Sequence, residues 1–300
     1  MESLNNNLIF CLIKKKILFF FLLLLLIEIF DESMNNKMNL VIPIASIDFE
    51  KVKANYKFYK KYIMGINNLI FIGNEEVAKL INESGSIFAK IKFINEKSLI
   101  DVDKIKKLIE KKDQKAIKRS GWYIQQFLKM QYCKICKEKY YLIWDCDTIP
   151  IKEVNMFSND GKPYFDVKTE YHKPYFITME KLLPELGKKY NYSFISEHML
   201  IKTKIMKNLI NRIDNNIIIP GDKWYEKIIN CINRDDLSLS GFSEFETYGT
   251  YANVHYNEVY KIRKWESLRS GKYYYNPKFF SFKDGQNISD KFDAISFEQY

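Results

Sequence analysis

The chain has 300 residues, with 47 Lys and Arg against 37 Asp and Glu for a formal charge of +10, 47% hydrophobic residues and 28% charged ones. That balance excludes a disordered chain, and 11 Gly and 7 Pro exclude a collagen-like or linker-dominated one. The basic excess is mostly Lys scattered through every segment rather than clustered in a nucleic-acid-binding fold, so no nucleic-acid partner is expected, and the charge suits an anionic small substrate or a membrane face.

Residues 1–37 differ from the rest. Leu8–Ile13 is apolar, Lys14, Lys15 and Lys16 interrupt, and Ile17–Ile27 is apolar again. Neither run reaches the roughly 20 residues of a spanning helix, and no small-x-small cleavage site is present after them. The segment reads as a membrane-associated anchor or as sequence ahead of a true start at Met34 or Met38, the second being the favoured reading. Its four lysines balance its four acids, so the whole net charge belongs to residues 38–300.

From Met38 the pattern alternates. Leu40–Ile44 is a β-rich run, and Asp48–Ile63 has helical spacing behind Asp48 as N-cap. Asn68–Ile72 predicts a second strand, Glu75–Asn82 a helix, Ile91–Ile94 a third strand and Asp101–Lys112 an amphipathic helix. Arg119–Lys137 predicts a longer helix. Its polar and aromatic start, with Arg119 and Gln125, suits a phosphate. Cys133 and Cys136 form a CxxC inside it, but no second Cys or His pair follows at zinc spacing, so they read as structural thiols in a reducing compartment.

Tyr140–Trp144 is a strongly apolar strand. Strands separated by helices in this order imply an α/β fold with a mostly parallel central sheet flanked by helices, whose ligands bind beyond the carboxyl ends of the strands. Asp145-Cys146-Asp147 stands at such an end. Two carboxylates at i and i+2 on a turning backbone can reach one Mn²⁺ or Mg²⁺ holding a diphosphate; the structural alternative is a turn whose aspartates cap backbone N–H groups.

Further on, Pro163–Val167 and Tyr192–Ile201 read as strands, and Thr203–Ile213, Asp222–Ile232 and Glu244–Val254 as helices. Alternation along Tyr192–Ile201 puts Glu197 and His198 on opposite faces, each able to line a sugar pocket or to pair at a sheet surface. Ser243 is an N-cap candidate. Glu244 and Glu246 then either favour the helix dipole or supply a general base. His172 and His255 fall at loop or helix-end positions. No Pro, Gly or Ser-rich linker is present, which leaves one domain, 38–271, with an aromatic and basic extension over 272–300.

The segments GWYIQQFLKM, YYLIWDCDTIP, GKPYFDVKTEYHKPYF, SFISEHMLIKTKIM and GFSEFETYGTY together resemble GT-A-type glycosyltransferases, and more closely a bacterial family of them found with surface-polysaccharide genes. The resemblance runs from about Met38 to Gly271. It implies a GT-A-like fold and a nucleotide-diphosphate sugar donor whose diphosphate is bridged by Mn²⁺ or Mg²⁺ on Asp145 and Asp147, with His255 as a further metal ligand. It places Ala45 and Ser46 at the nucleotide base, with Arg119, Gln125, Glu197 and His198 also on the donor. Glu244 or Glu246 becomes the base of an inverting hexosyltransferase, and Tyr171, His172 and Tyr248 meet a glycan or lipid-linked acceptor. The expected setting is the cytoplasm, at the inner membrane face if peripheral association occurs. The alternatives are a nucleotidyltransferase, which would need a Gly- and Arg/Lys-rich phosphate loop that Pro43–Asp48 lacks, and a non-catalytic glycan-binding protein.

Overall fold

The computed structural model describes residues 37–88 and 91–298, and Met38–Tyr300 forms one compact unit. The apolar segment 1–36, with its alternatives of an anchor or a start at Met34 or Met38, lies outside the described residues. Within the unit, the run of β-formers Met-Asn-Leu-Val-Ile-Pro makes β1 (Met38–Pro43), buried along its whole length. A strand hidden on both faces belongs at the centre of a sheet covered twice.

That sheet has the order β3-β2-β1-β4-β7, where β2 is Ile66–Gly73, β3 Ile91–Asn95, β4 Tyr140–Trp144 and β7 His198–Lys202. β3, β2, β1 and β4 run parallel, and β7 pairs antiparallel to β4. Register aligns Leu40 with Leu69 and Leu142, and Val41 with Ile70 and Ile143. The two-residue pleat then sorts the side chains. Val41, Ile70, Tyr141, Ile143 and Met199 meet α3 (Val102–Lys112), α4 (Ser120–Gln131) and α6 (Thr203–Asp214). Leu40, Phe71, Leu142 and Trp144 meet α1 (Phe49–Tyr62) and α2 (Glu75–Glu83). Each fully buried Leu, Ile or Val contributes about 1.5–3 kcal/mol to holding these layers together.

The chain lays β1, moves outward to β2 and β3, and then crosses back to put β4 on the other side of β1. The carboxyl ends of β1 and β4 therefore flank the switch point at which open α/β sheets leave a crevice. Past it, β5 (Thr148–Pro150) pairs with β10 (Ala294–Ser296), which also pairs with β9 (Ser267–Leu268), while β6 (Tyr164–Val167) pairs with β8 (Lys261–Lys264). The aromatic tail thus returns to the residues that come after Asp147.

Three local differences from the sequence reading have physical causes. The helix expected to reach Lys137 ends at Gln131 and tightens into a 3₁₀ turn over Tyr132–Lys134, which buries Cys133 and Cys136 as free thiols in the core. The strand expected over Tyr192–Ile201 begins only at His198, because Glu197 has φ 62° and turns the chain before it. Lys173–Leu182, α5, is helical where no helix is expected, with Pro174 in its first turn, where a missing N–H costs nothing. Glu244–His255, α9, starts as expected behind Ser243, whose hydroxyl accepts from the Glu246 N–H at 3.2 Å. The remaining helices are α7 (Trp224–Cys231), α8 (Arg234–Leu237) and α10 (Phe282–Ile288).

Candidate active site

At the switch point the Asp145-Cys146-Asp147 turn is clamped by its backbone. The Asp145 N–H donates to the Glu197 carbonyl at 2.8 Å, and the Thr148 N–H closes the turn on the Asp145 carbonyl at 3.1 Å. Asn55 and Tyr59 of α1 donate to the Cys146 carbonyl, and the Phe297 N–H beside β10 donates to the Asp147 carbonyl at 2.9 Å. With the backbone groups satisfied by the surrounding elements, both carboxylates are left to face a cavity of about 790 Å³.

One wall is a helix stripe. Arg119, Trp122, Gln125, Gln126 and Lys129 line the cavity at the spacing of successive α-helical turns. Lys129 is buried, with Nζ 2.5 Å from Asp145 Oδ1 and 2.7 Å from Glu244 Oε1. Burial alone would lower its pKa, but the two carboxylates outweigh that and hold the ammonium well above its ordinary value. Glu244, in the first turn of α9, is pushed up by burial, with Lys129 opposing. Gln126 Oε1 accepts the Glu244 N–H at 3.1 Å, and its buried Nε2 has no partner among the described residues.

Further lining comes from Arg269 and, in the C-terminal extension, Glu298. Arg269 lines the cavity and bonds Glu170 and Glu298, each at 2.6 Å, with Glu197 3.5 Å away. Asp147, partly buried at the cavity edge, has its carboxyl pushed up to about 7, first by desolvation and then by the charges of Asp145 and Glu298. The two positive-φ residues other than glycine among those described, Glu197 and Ser240, both adjoin this region. Such backbone costs about 1–3 kcal/mol and persists where surrounding contacts fix it. Ser240 is fixed by Arg119, which donates to its Oγ at 2.5 Å, and by His172 Nε2, 2.9 Å from its carbonyl.

The residues expected at a site separate into two groups. Asp145, Asp147, Glu244, Arg119, Gln125, Tyr171 and His172 line the one cavity. Ala45 and Ser46 lie just past β1 without lining it, although their neighbours Pro43 and Asp48 do. Glu197 sits behind Arg269, its carboxylate accepting from Lys168 at 2.7 Å. His198 is enclosed between Trp144 and Trp265, with its ring nitrogens on the Ser196 carbonyl and Asp166. It is thereby turned into the core and away from any donor sugar. His255 closes α9 eleven residues after Glu244, about 16 Å along the axis, where it meets Arg212 and Glu185 and cannot join Asp145 and Asp147. Tyr248 is wholly buried, its hydroxyl on Tyr260 at 2.6 Å, and has no route to an acceptor.

Glu246 also faces inward, where Ser193 Oγ donates to it at 2.5 Å. Burial pushes its carboxyl up to about 6. A carboxyl raised on folding favours the folded state while protonated, so this contribution is complete below the ordinary value of 4.5 and is lost as pH rises through about 6. Glu246→Gln should therefore stabilise the protein by about 1–2 kcal/mol at about pH 8 and by little at about pH 4, as read from urea unfolding midpoints. An equal effect at both pH values would contradict the assignment.

Sequence reasoning misses Lys129, Arg269, Glu170 and Glu298, which also line the cavity. A signal for Lys129 was present, since it continues the Arg119, Trp122, Gln125 and Gln126 stripe on an otherwise apolar helix. Arg269 and Glu298 carry no local pattern and reach the cavity only through the β5-β10-β9 pairing.

The profile of DUF6492, a family of unknown function, matches residues 36–274. The chain belongs to the DUF6492 family. No curated protein matches this DUF6492 member. Among solved structures, it is similar to mouse xyloside xylosyltransferase 1 in its apo form at 13% identity, covering 87% of this chain and 96% of that one with a TM-score of 0.44. It is similar to the galactosyltransferase LgtC, in complex with donor and acceptor sugar analogs, at 8% identity, 87% of each chain and a TM-score of 0.44. The bifunctional glycosyltransferase WbbM, in its apo form, matches at 10% identity over 89% of this chain and 46% of that one, with a TM-score of 0.44.

Asp145 and Asp147 supply hard oxygen donors, and among the described residues no third His, Cys, Asp or Glu joins them in a metal-holding group. Two carboxylates fit a small divalent cation that takes its other ligands from water and phosphate. Burial raises Asp147 most, and the negative charges of Asp145 and Glu298 add to it; that added charge is what such a cation would relieve.

Proposed function

We propose that this DUF6492 member is a metal-dependent, GT-A-like glycosyltransferase that moves a sugar from a nucleotide-diphosphate donor to a glycan or lipid-linked acceptor in cell-surface polysaccharide synthesis, with inversion. The observation that carries the reading is the clamped Asp145-Cys146-Asp147 turn at the switch between β1 and β4, opening on a cavity that also holds buried Glu244 and two arginines. Asp145 and Asp147 would hold Mn²⁺ or Mg²⁺, which when bound supplies charge neutralisation for a diphosphate leaving group. Arg119 adds fixed positive charge to the cavity lining, while the charge of Arg269 is already paired with Glu170 and Glu298. An acceptor hydroxyl forms its bond to the anomeric carbon as the bond from that carbon to the diphosphate oxygen breaks. Glu244 takes the hydroxyl proton, a role suited to a carboxylate that burial has made more basic. Lys129 keeps Glu244 and Asp145 apart in charge while holding both in place. Tyr171 and His172, at the mouth, would contact the acceptor.

No helix of the described residues is long and apolar enough to cross a membrane. The reading sets the enzyme in the cytoplasm at the inner membrane face. Its test is a panel of nucleotide-diphosphate sugars screened for thermal stabilisation with and without Mn²⁺. One donor should raise the melting temperature only when metal is present, since a ligand selective for the native state stabilises it. A panel in which no donor shifts the transition with Mn²⁺, while a glycan does so without metal, would favour a non-catalytic binding protein.

A further inference from the structure

Residues 272–283, Lys-Tyr-Tyr-Tyr-Asn-Pro-Lys-Phe-Phe-Ser-Phe-Lys, hold six aromatic rings and three lysines and no acidic residue. The fold divides the rings by orientation. Phe280 and Phe282 pack on Phe58 of α1 at centroid distances of 5.7 and 4.6 Å, and Tyr275 lies 5.2 Å from Phe280. Tyr273, Tyr274 and Phe279 point outward and are 73%, 69% and 78% exposed. One half of the segment anchors it, and the other half displays three large rings that the core does not use. Lys57 and Lys61 of α1 lie over the Phe282 ring at 5.5 and 4.1 Å, so the basic face of α1 adjoins the same segment.

We propose that this face docks on an anionic lipid bilayer. Singly exposed apolar residues need no explanation, but three large rings within seven residues, set among lysines, have the composition of an interfacial surface. Rings enter the headgroup region while lysine stems lie along it and present their charge to anionic lipid. A soluble polyanion would engage the lysines and leave Phe279 in water. Docking has a geometric consequence, which alone rests on the glycosyl-transfer reading. Arg269 lines the cavity four residues before Tyr273, so the two are separated by at most about 14 Å of extended chain. A bilayer held at Tyr273 and Tyr274 lies near the cavity wall, which favours an acceptor carried on a membrane lipid.

The experiment is sedimentation of the full chain with vesicles of equimolar phosphatidylglycerol and phosphatidylcholine, against vesicles of phosphatidylcholine alone, at low and high salt. Binding should require the anionic lipid and weaken with salt. The triple variant Tyr273→Ser, Tyr274→Ser, Phe279→Ser should bind at least about tenfold more weakly while keeping the parent melting temperature. Because the apolar start of the chain could hold vesicles by itself, Phe279→Trp provides a second readout. Brominated phosphatidylglycerol should quench the emission that this substitution adds. Absence of quenching in Phe279→Trp overturns the proposal however the vesicles sediment, and so does quenching that is equally strong with a brominated zwitterionic lipid at high salt. Donor binding measured without vesicles is a separate readout, so failure of the docking surface and failure of the transferase reading are distinguishable.

Discussion

Asp147→Asn should lower transfer by about 10²–10³-fold and at the same time make the metal-free protein more stable above neutral pH. Both effects come from one carboxyl. Burial, Asp145 and Glu298 push it up to about 7 from an ordinary 3.8, so its favourable contribution is complete below 3.8 and is lost as pH rises through about 7. At about pH 8 the ionised group costs the fold on the order of 2–4 kcal/mol, and an amide of the same shape removes that cost. The variant should therefore unfold at higher urea than the parent when metal is absent, and it should no longer gain stability from Mn²⁺. A carboxylate that merely capped a turn would show the opposite pattern, with stability falling on replacement and transfer left intact. Retained transfer in Asp147→Asn removes the metal role outright. The coupling of higher stability to lost activity is what a site held against electrostatic repulsion produces.

The central sheet was readable from sequence because both of its faces are covered. Leu40–Ile44, Asn68–Ile72 and Tyr140–Trp144 are near-continuous apolar runs, and the observed strands fall within two residues of them. The end of β4 is equally plain in the sequence, and with it the position of the Asp145 and Asp147 turn. Reading failed where a residue's partners are distant in the chain. Its apolar neighbours put Glu197 in a strand, but its φ of 62° goes with the clamp on Asp145 and with Lys168, neither of which is nearby in sequence. His198 looked like a pocket residue because a charged pair in an apolar run suggests function. The structure instead satisfies it with Asp166, itself paired to Arg263 at 2.6 Å from a strand almost a hundred residues away. Glu244 and Glu246, two apart at a helix start, are indistinguishable in sequence, and the helix turns one toward Lys129 and the other toward Ser193.

Lys129→Met should destabilise the protein by about 3–5 kcal/mol, the range for removing one partner of a buried ion pair. The loss is not the value of the two contacts. Lys129 is the cation between Asp145 and Glu244, and without it Glu244, itself buried, faces another carboxylate across a cavity wall. Burial already raises Glu244, and removal of the ammonium takes away the largest influence opposing that rise, so the variant should be least stable at high pH and recover as Glu244 protonates. The double variant Lys129→Met, Glu244→Gln removes the uncompensated charge along with the cation, and should regain more than half of the lost stability, a coupling that a double-mutant cycle reads directly from urea midpoints. Additive losses in the cycle would mean that Lys129 supports the fold through other contacts, such as its ammonium over the Phe245 ring 4.6 Å away. Transfer separates the two readings again. If Glu244 takes the acceptor proton, the double variant recovers its fold without recovering activity, whereas a purely structural ion pair returns both together.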